Sequence, residues 1–370
     1  MRIKRSAVAW IAAAALVGTA PGWDATAADA RAASATRLVR CRPANRTCWI
    51  TAFAFSPART LFYVERFTGH VRRVDLRTGT DTLLVRLGRV TASGANSGVL
   101  GLALHPRWFD QPWVYVSYTR RDPTGSGPDN LLLRLRRERG GTFRRQILLR
   151  YPEGRLHNLN TLAFGPDGRL YAAAGDRRRA DLAQRIWSPA GKMLRLSAAG
   201  RVPRGNPFSG RFTWSFGHRN SFGFAFDPRT GSLWETENGR TCTDEVNRIE
   251  RARNYGWGPK SFPREACPNI SRDGPAPIPP AWSWEAPIAP TGAAFCERCG
   301  LGADTEGTLL VASWNEGTIR RLTLSPNRRR IVSEEIVYRH DRPIIAVQRG
   351  RKGAIFFSDP TGIYRLEVPA

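Results

Sequence analysis

The pattern of apolar and polar residues repeats six times along the chain. Each copy reads as a short apolar run, a turn rich in proline, aspartate or glycine, and a second apolar run. In the clearest copy, residues 222–226 and 233–235 flank the turn DPRTG, where proline presets φ and glycine accepts a positive φ. This pattern predicts a β-hairpin. The copies begin at Thr51, Gly101, Thr161, Gly223, Gly292 and Ile344.

The spacing of these copies predicts the fold. Their starts lie 50 to 69 residues apart, and several copies continue into a third strand-like run. Four-stranded units at such a period are typical of propeller blades, which pack around a common axis because no unit buries both faces alone. We therefore predict an all-β, six-bladed β-propeller over residues 36–370, in preference to a sandwich of similar hairpins. Residues 36–40 are expected to complete the last blade, and residues 181–187 to form one short helical turn.

The N-terminus has the features of an export signal. Its first residues are basic, residues 7–17 are apolar, and the small-residue triplet ATA follows at 25–27. This order predicts a cleaved signal peptide over residues 1–27 and an exported protein, periplasmic or extracellular. The alternative is a membrane anchor, but the apolar run is shorter than the ~20 residues that a span requires.

Six cysteines follow the predicted cleavage site. An even number in an exported chain indicates disulfides. The CxxC at 296–299 would also suit a redox or zinc motif, but the chain lacks a second motif to complete a four-ligand zinc site. Pairing between sequence neighbours is the simplest arrangement. The expected pairs are Cys41–Cys48, Cys242–Cys267 and Cys296–Cys299.

The chain is strongly basic. Its 57 lysines and arginines against 31 acidic residues give a net charge of +26. This balance permits electrostatic binding to nucleic acid, anionic lipid or acidic glycans. No recognised nucleic-acid motif accompanies it, and aromatic residues are not interleaved with the basic runs. We expect no specific nucleic-acid partner, and electrostatic binding to acidic surfaces is a secondary hypothesis.

Polar residues crowd both ends of the clearest hairpin. His218, Arg219 and Asn220 precede it, and a group rich in carboxylates and amides follows it. Functional groups at the ends of rigid strands are typical of a site built on loops. Several carboxylates around one metal would also suit a hydrolase of lactones or phosphoesters. The candidates for that alternative are Asp176, Glu237, Asp244 and Glu245.

Several longer segments resemble one known family. In chain order they read SGVLGLALHP, HNLNTLAFGPDGRLYAAAGD, GKMLRLSAAGRVPRGNPF, GHRNSFGFAFDPRTGSLWETENG, TDEVN, NYGW and WSWEAPIAPTGAAF. From about Thr51 onward, the chain resembles the soluble quinoprotein glucose dehydrogenase and sorbosone dehydrogenase family. This resemblance implies a six-bladed propeller that binds pyrroloquinoline quinone (PQQ) and calcium at the mouth of its channel. It also implies oxidation of a sugar or related alcohol, with electrons passing to an unspecified acceptor.

The resemblance assigns roles to individual residues. It implies that His157 is the base that removes the hydroxyl proton while hydride passes to the quinone. Arginine suits such a cofactor because its planar fork binds carboxylates bidentately. The implied quinone contacts are Asn96, Arg219, Asn220 and Arg342. The implied calcium ligands are the backbone carbonyls of Gly239 and Arg240.

The chain departs from the family pattern at several positions. The family often has glutamine, lysine and a second arginine among its quinone contacts, an acidic residue just before the histidine, and a proline at the calcium site. The residues that stand there are, in that order, Phe222, Asn315, Ile344, Leu156 and Arg240. Because fold alone does not fix function, a non-catalytic propeller that binds glycans or protein partners is the alternative function.

Two residues also have structural alternatives. His157 would equally suit a hydrogen-bonded position at a blade corner. Arg219 would equally suit an ion pair with Glu237 or Glu245 that braces the channel. The positions of these four side chains therefore bear directly on the functional hypothesis.

Overall fold

Four-stranded sheets dominate the structure. The computed structural model describes residues 33–41, 48–92, 94, 96–122, 124–125, 127–240, 243–261 and 272–368. Within these ranges the chain forms 24 β-strands, one short α-helix, α1 (Ala180–Gln184), and a 3₁₀ turn at Arg351–Gly353. The strands form six antiparallel sheets of four, which confirms the predicted all-β, six-bladed β-propeller. The helix overlaps residues 181–187, where one helical turn was expected, but begins one residue earlier.

The blades follow one another along the chain. Blade 6 combines both ends of the described chain. It contains β1 (Ser34–Arg40) from the start and β22 (Ala346–Arg349), β23 (Ile355–Asp359) and β24 (Gly362–Glu367) from the end. Blade 1 contains β2 (Ile50–Phe55), β3 (Thr60–Glu65), β4 (His70–Asp75) and β5 (Asp81–Arg86). Blade 2 contains β6 (Val99–Leu104), β7 (Val114–Arg120), β8 (Asp129–Arg137) and β9 (Phe143–Pro152).

The remaining three blades repeat this order. Blade 3 contains β10 (Leu159–Phe164), β11 (Leu170–Ala174), β12 (Lys192–Leu196) and β13 (Thr213–Phe216). Blade 4 contains β14 (Ser221–Phe226), β15 (Leu233–Glu237), β16 (Asp244–Ile249) and β17 (Trp282–Trp284). Blade 5 contains β18 (Pro290–Phe295), β19 (Leu309–Ser313), β20 (Thr318–Leu324) and β21 (Ile331–Arg339). The predicted hairpins therefore become the first two strands of each blade.

The hydrophobic core is divided among the interfaces between blades. Between blades 3 and 4, for example, Tyr171 and Met193 of one sheet pack with Phe224 and Leu233 of the next. Each of the other five interfaces holds a cluster of the same kind. Burial of apolar surface contributes roughly 25 cal/mol per Å², so each blade is stabilised by both of its neighbours. The ring, rather than the single blade, is the stable unit.

The first strand of each blade lies next to the axis, where space is smallest. A Cβ added at Gly223 on β14 would lie 2.2 Å from the backbone oxygen of Thr291 on β18. A Cβ at Gly292 on β18 would lie 2.3 Å from the backbone nitrogen of Val347 on β22. Such separations are far below van der Waals contact. The glycines of the repeated apolar motif therefore let neighbouring inner strands approach one another.

Buried side chains also join every blade to the next by hydrogen bonds to backbone carbonyls. These bonds are 2.6–2.9 Å long. The donors and their acceptors are Thr51 to Val99, Ser117 to Asn160, Asn160 to Ser221, Thr236 to Thr291, Thr291 to Ile344, and Ser358 to Ile50. A buried carbonyl left without a donor is costly, so these residues fix the register of the ring.

The closure of the ring agrees with the sequence prediction. Strand β1 pairs antiparallel with β24, as expected for residues 36–40. Disulfides join Cys41 to Cys48, between β1 and β2, and Cys296 to Cys299, after β18. The CxxC is thus a structural bridge. The predicted Cys242–Cys267 bridge and the predicted signal peptide, residues 1–27, lie outside the described residues. Among the described helices, none has the length and apolar character needed to cross a membrane.

Candidate functional site

The loops that precede the inner strands gather at one end of the axis. Hydrogen bonds join the starts of neighbouring inner strands, as in the bonds from Thr51 to Val99 and from Thr161 to Phe222. Because the inner strands lie side by side with their starts adjacent, the residues before each start share one rim. His157, Arg219 and Asn220 all lie on this rim, immediately before β10 and β14.

His157 is buried and oriented by a carboxylate. Its Nδ1 lies 2.6 Å from Oδ1 of Asp176, and its side chain is 7% exposed. Asp176 also accepts hydrogen bonds from Nε1 of Trp257 at 2.7 Å and from the backbone of Arg178 at 2.8 Å. Since Asp176 is an acceptor, His157 donates its Nδ1 proton to it, and Nε2 is left as a proton acceptor.

Sequence reasoning missed Asp176 as the partner of His157. The residue just before the histidine is Leu156, but the carboxylate comes from the next strand of the same blade. The antiparallel pairing of Leu159 with Ala174 brings the start of β10 beside the end of β11. The sequence signal that could have identified this partner is the predicted hairpin itself. Its two strands bring the residues just before β10 beside the residues just after β11, and these include His157 and Asp176.

Arg219 joins the same group of residues. Its backbone oxygen accepts a hydrogen bond from the backbone of Asp176 at 2.7 Å, and its guanidinium donates to the backbone oxygen of Asn238 at 2.8 Å. The guanidinium lies over the ring of Trp257, 5.5 Å from the centroid. Burial lowers the pKa of Arg219. The cation is therefore held against the aromatic ring that also binds Asp176.

The ion pairs proposed as an alternative for Arg219 are not those that the structure contains. The Glu237 carboxylate accepts a hydrogen bond from the backbone nitrogen of Arg219, not from its guanidinium. Glu245 instead pairs with Arg272 at 2.7 Å. The Arg219 side chain is thus anchored by a backbone carbonyl and a ring, and the carboxylates of Asp176, Glu237 and Asp244 favour its positive charge.

The side-chain amide of Asn220 has its nitrogen in a hydrogen bond, whereas its oxygen has no partner among the described residues. Its Nδ2 donates to Oδ1 of Asn238 at 2.7 Å. Its Oδ1 is buried and has no hydrogen-bond partner among the described residues. Buried polar atoms are nearly always satisfied, so this oxygen indicates a place for a ligand or an ordered water.

A cavity of about 320 Å³ opens at this end of the axis. Aromatic and apolar side chains form most of its wall, and two amides and one arginine add polar groups. Its lining includes Trp49, Arg66, Asn96, Leu100, Phe222, Asn238 and Trp314. A largely apolar cavity with a few polar groups is the usual form of a small-molecule site. The predicted contact Asn96 therefore lies on the cavity wall.

Arg66 is a functional candidate that the sequence did not identify. Its side chain is buried, and it donates to the backbone oxygens of Ser97 at 2.8 Å and Gly94 at 2.7 Å. It also lies 5.1 Å from the ring centroid of Trp49. Burial lowers the pKa of Arg66 to about 10, so the group stays a cation at neutral pH. The cavity thus contains a fixed positive charge.

Arg342 lies in a neighbouring cavity. This second space has a volume of about 680 Å³ and shares Trp49 and Trp314 with the first. Arg342 is half exposed and lies 3.9 Å from carboxylate oxygens of Asp341 and Asp359. Arg342 therefore lines this second space and is not among the residues that line the cavity containing Asn96 and Phe222.

The residues predicted to bind calcium follow β15 on the same rim. The backbone nitrogen of Gly239 donates to Oδ1 of Asp244 at 2.8 Å, and that of Ala289 donates to Oδ2 at 2.7 Å. Burial raises the pKa of Asp244. Arg240 is exposed. The Asp244 carboxylate thus accepts hydrogen bonds from two backbone nitrogens. The predicted calcium ligands are the backbone carbonyl oxygens of Gly239 and Arg240.

The four carboxylates considered for a hydrolase do not share one open metal centre. Each has its own partner within the described part of the chain. The pairs are Asp176 with His157, Glu237 with His218, Asp244 with two backbone nitrogens, and Glu245 with Arg272. Hydrolytic metal sites need convergent ligands with an open position, so this arrangement does not favour that alternative.

Comparison with known proteins identifies the family. The sequence model of the family described as glucose/sorbosone dehydrogenase matches residues 47–363. The chain belongs to the glucose/sorbosone dehydrogenase family. The match covers blades 1 to 5, part of blade 6 and every site residue discussed above. It confirms the resemblance drawn from the sequence motifs.

Two curated proteins of similar sequence carry enzyme names. The chain is 30% identical over 237 residues to quinoprotein glucose dehydrogenase B of Acinetobacter calcoaceticus, a match that covers 56% of this chain and 49% of that protein. It is 29% identical over 218 residues to aldose sugar dehydrogenase YliI of Escherichia coli, covering 56% and 58% respectively. The chain thus spans about half the length of these two relatives.

Solved structures match over more of the chain. A Thermus thermophilus protein described as a putative oxidoreductase (glucose dehydrogenase) is 30% identical, with a TM-score of 0.76, covering 90% of this chain and 99% of that one. The PQQ-bound aldose sugar dehydrogenase of Streptomyces coelicolor is 26% identical, with a TM-score of 0.74, covering 92% and 99%. The glucose/sorbosone dehydrogenase ring is therefore conserved in these structures almost from end to end.

Proposed function

We propose that this protein is an exported PQQ-dependent dehydrogenase that oxidises a hydroxyl group of an aldose or related alcohol. Family membership supports the reaction class, and a similar structure with PQQ bound supports the cofactor. The observation that carries the proposal is the contact between His157 and Asp176 beside Arg219. This arrangement combines an oriented proton acceptor with a cation at one rim of the propeller.

The residues of the rim fit a planar, carboxylated quinone. Arg219 and Arg66 supply positive charge, and Trp49 and Phe222 supply flat apolar surfaces. The unsatisfied Oδ1 of Asn220 supplies a polar atom without a partner in the described chain. Arginine binds carboxylates more specifically than lysine does. We assign Arg219, Asn220, Asn96 and Arg66 to the quinone, which acts as hydride acceptor when bound.

We assign removal of the substrate hydroxyl proton to His157. Because Asp176 accepts the Nδ1 proton, Nε2 presents its lone pair and can remove the substrate hydroxyl proton. The imidazolium that forms is stabilised by the Asp176 carboxylate, in the same way that an aspartate supports the histidine of a catalytic triad. Trp257 and the backbone of Arg178 hold the carboxylate in place. His157 is thus the catalytic base, and Asp176 orients it.

Calcium is proposed as a second cofactor, bound by the backbone carbonyls of Gly239 and Arg240. These residues follow β15 and lie on the rim near Asn238, which bonds to both Arg219 and Asn220. Calcium requires oxygen ligands but not specific side chains. Charge repulsion from Arg240 would weaken such a site, so we expect calcium affinity below that of a site with proline at this position.

Calorimetric titration of the purified protein with PQQ, with and without calcium, tests the proposal. We expect saturable binding, and reduction of an artificial electron acceptor when aldoses are added. His157→Gln should keep PQQ affinity and lose turnover, whereas Arg219→Lys should weaken PQQ binding. Absence of both heat and aldose-dependent dye reduction over a broad sugar panel would refute the proposal.

Phe222 provides a sharper test, because the family often has glutamine there. Phe222 lines the 320 Å³ cavity. Phe222→Gln should gain a hydrogen bond to a charged cofactor, about 1.5–3 kcal/mol or roughly 10- to 150-fold in affinity. Phe222→Leu is the matched control, since it removes the ring without adding a polar group. If the glutamine variant binds PQQ no more tightly than the leucine variant, the assignment of this cavity to the quinone is wrong.

The alternative function is a non-catalytic propeller that binds acidic glycans. The net charge of +26 favours it, because clustered arginines attract polyanions strongly at low ionic strength. Binding to an acidic polysaccharide that disappears at high salt, in a protein that takes up no PQQ, would support this function over the first. Export is tested separately by mass spectrometry of the mature N-terminus, which we expect just after residue 27.

A further inference from the structure

A buried histidine and two buried glutamates lie directly behind the candidate site. His218, Glu235 and Glu237 have ligand atoms that all lie within 4.8 Å of one another. His218 Nδ1 is 3.4 Å from Oε2 of Glu235 and 3.0 Å from Oε2 of Glu237. His218 and Glu235 are completely buried, and the Glu237 side chain is 8% exposed. The mechanism proposed above uses none of these three side chains.

This cluster contains acceptor oxygens that lack donors. Both carboxylate oxygens of Glu235 are buried without a hydrogen-bond partner among the described residues, and so is Oδ1 of Asn247. Asn247 is paired with Glu235 across β15 and β16, so the two side chains lie on the same face of the sheet. Several buried acceptors on one face with too few donors are costly. A cation would satisfy them.

The charges of the cluster point to a dication. Glu235, Glu237 and Glu245 bring three buried carboxyl groups together, and among the described residues only Glu245 forms an ion pair with an arginine, Arg272 at 2.7 Å. A divalent ion would supply the positive charge that Glu235 and Glu237 lack.

We propose that His218 Nδ1, Glu235 and Glu237 bind a divalent transition-metal ion of the zinc type, with Asn247 Oδ1 as a fourth ligand. Zinc–nitrogen and zinc–oxygen bonds of about 2.0–2.1 Å place tetrahedral ligands about 3.3 Å apart. The two His218 contacts, 3.4 and 3.0 Å, are close to that separation. The imidazole nitrogen favours zinc over calcium, which prefers oxygen ligands.

The proposed metal has a structural role. All of its ligands are buried, so it has no open position for a substrate, as is usual for closed zinc sites. His218 immediately precedes Arg219 and Asn220, and Glu237 immediately precedes Asn238. The second nitrogen of His218 is bonded to Ser215 at 2.9 Å, which fixes the ring. The ion would therefore hold the segments before β14 and after β15 that carry the candidate site.

Metal analysis of the whole chain tests this inference independently of any PQQ chemistry. The protein is unfolded with a chelator, refolded with or without zinc, and measured by elemental mass spectrometry. We expect one zinc ion per chain and a rise in melting temperature of about 5 °C at zinc 100-fold above its dissociation constant. Cobalt in place of zinc should give the visible absorption of a tetrahedral site.

Variants locate the ion. Glu235→Gln and Asn247→Ala should each reduce zinc affinity at least about tenfold, since each removes one ligand. Glu334→Gln is the control, because Glu334 is a partly buried carboxylate of blade 5 that binds Trp282 and Trp284 and lies outside the cluster. Lack of stoichiometric zinc or cobalt in the refolded wild-type protein would overturn the proposal, and so would full zinc affinity in Glu235→Gln.

Discussion

Replacement of Asp176 by asparagine is the most direct test of the proposed proton transfer. Oδ1 of Asp176 accepts from Nδ1 of His157 at 2.6 Å, and Oδ2 accepts from Nε1 of Trp257 at 2.7 Å. In Asp176→Asn one of these oxygens becomes an amino group, which is a donor. Either Trp257 loses its acceptor or His157 must take the other tautomer, and that tautomer has a proton on Nε2 instead of a lone pair.

The expected loss follows from the hydrogen bond. A hydrogen bond to a charged group contributes about 1.5–3 kcal/mol, and each 1.36 kcal/mol changes a rate tenfold. We therefore expect kcat to fall about 10- to 150-fold. PQQ affinity should change less than kcat, because Arg219 accepts the hydrogen bond from Asp176 through its backbone oxygen while its guanidinium donates to Asn238. The loss in kcat should also increase the isotope effect seen with sugar deuterated at the oxidised carbon.

The assay is reduction of an artificial acceptor by aldoses, with PQQ binding measured by calorimetry on the same samples. Asp167→Asn is the matched control. Asp167 is a carboxylate of the same blade that contacts Tyr171 and Arg195 away from the rim, so its replacement should leave kcat unchanged. If Asp176→Asn keeps kcat within about twofold of the wild type, His157 is not the base and the reasoning is refuted.

Three further predictions concern the ring and its response to pH. Gly223→Val should destabilise the protein by about 2–3 kcal/mol in urea unfolding, because the new side chain collides with β18. Lys192→Met should cost about 3 kcal/mol in the same assay, because Nζ donates to three buried carbonyls. Burial raises the pKa of Glu153 to about 7, so the folded protein holds this proton more tightly than the unfolded chain does. The free energy of unfolding should therefore decrease as the pH is raised from about 4.5 to 7, and Glu153→Gln should remove that part of the decrease.

The fold could be predicted from sequence because each blade repeats the same local signals. Hairpin turns such as DPRTG and alternating apolar runs act within about 20 residues, so they are visible without any knowledge of distant contacts. Residues 36–40 were placed correctly in the last blade, where a strand from the start of the chain pairs with β24 and closes the ring. The helix was located but began one residue earlier than expected, at Ala180, since helix ends depend on local capping.

The site was harder to predict because its contacts depend on strand register and on neighbouring blades. His157, Arg219 and Asn220 were recognised by motif, yet Asp176 and Arg66 reach the rim from other strands and other blades. Motif position also gave Arg342 as a quinone contact, and its side chain lines a second space that shares Trp49 and Trp314 with the cavity containing Asn96. A linear motif identifies which loop carries a residue but not which of two adjoining spaces its side chain lines.

The residues that stabilise the ring are largely different from those that line the candidate site, so the site can change while the fold is kept. The apolar clusters lie between blades, and the hydrogen bonds that close the ring come from residues within the strands, such as Thr236 and Ser358. The candidate site, by contrast, uses residues just before or after the strands, together with Phe222 at the start of β14. Substitutions such as Phe222 for glutamine or Asn315 for lysine therefore alter ligand contacts without removing an interface between blades. The requirement for stability constrains the residues inside the strands, and the requirement for ligand binding constrains the residues of the rim.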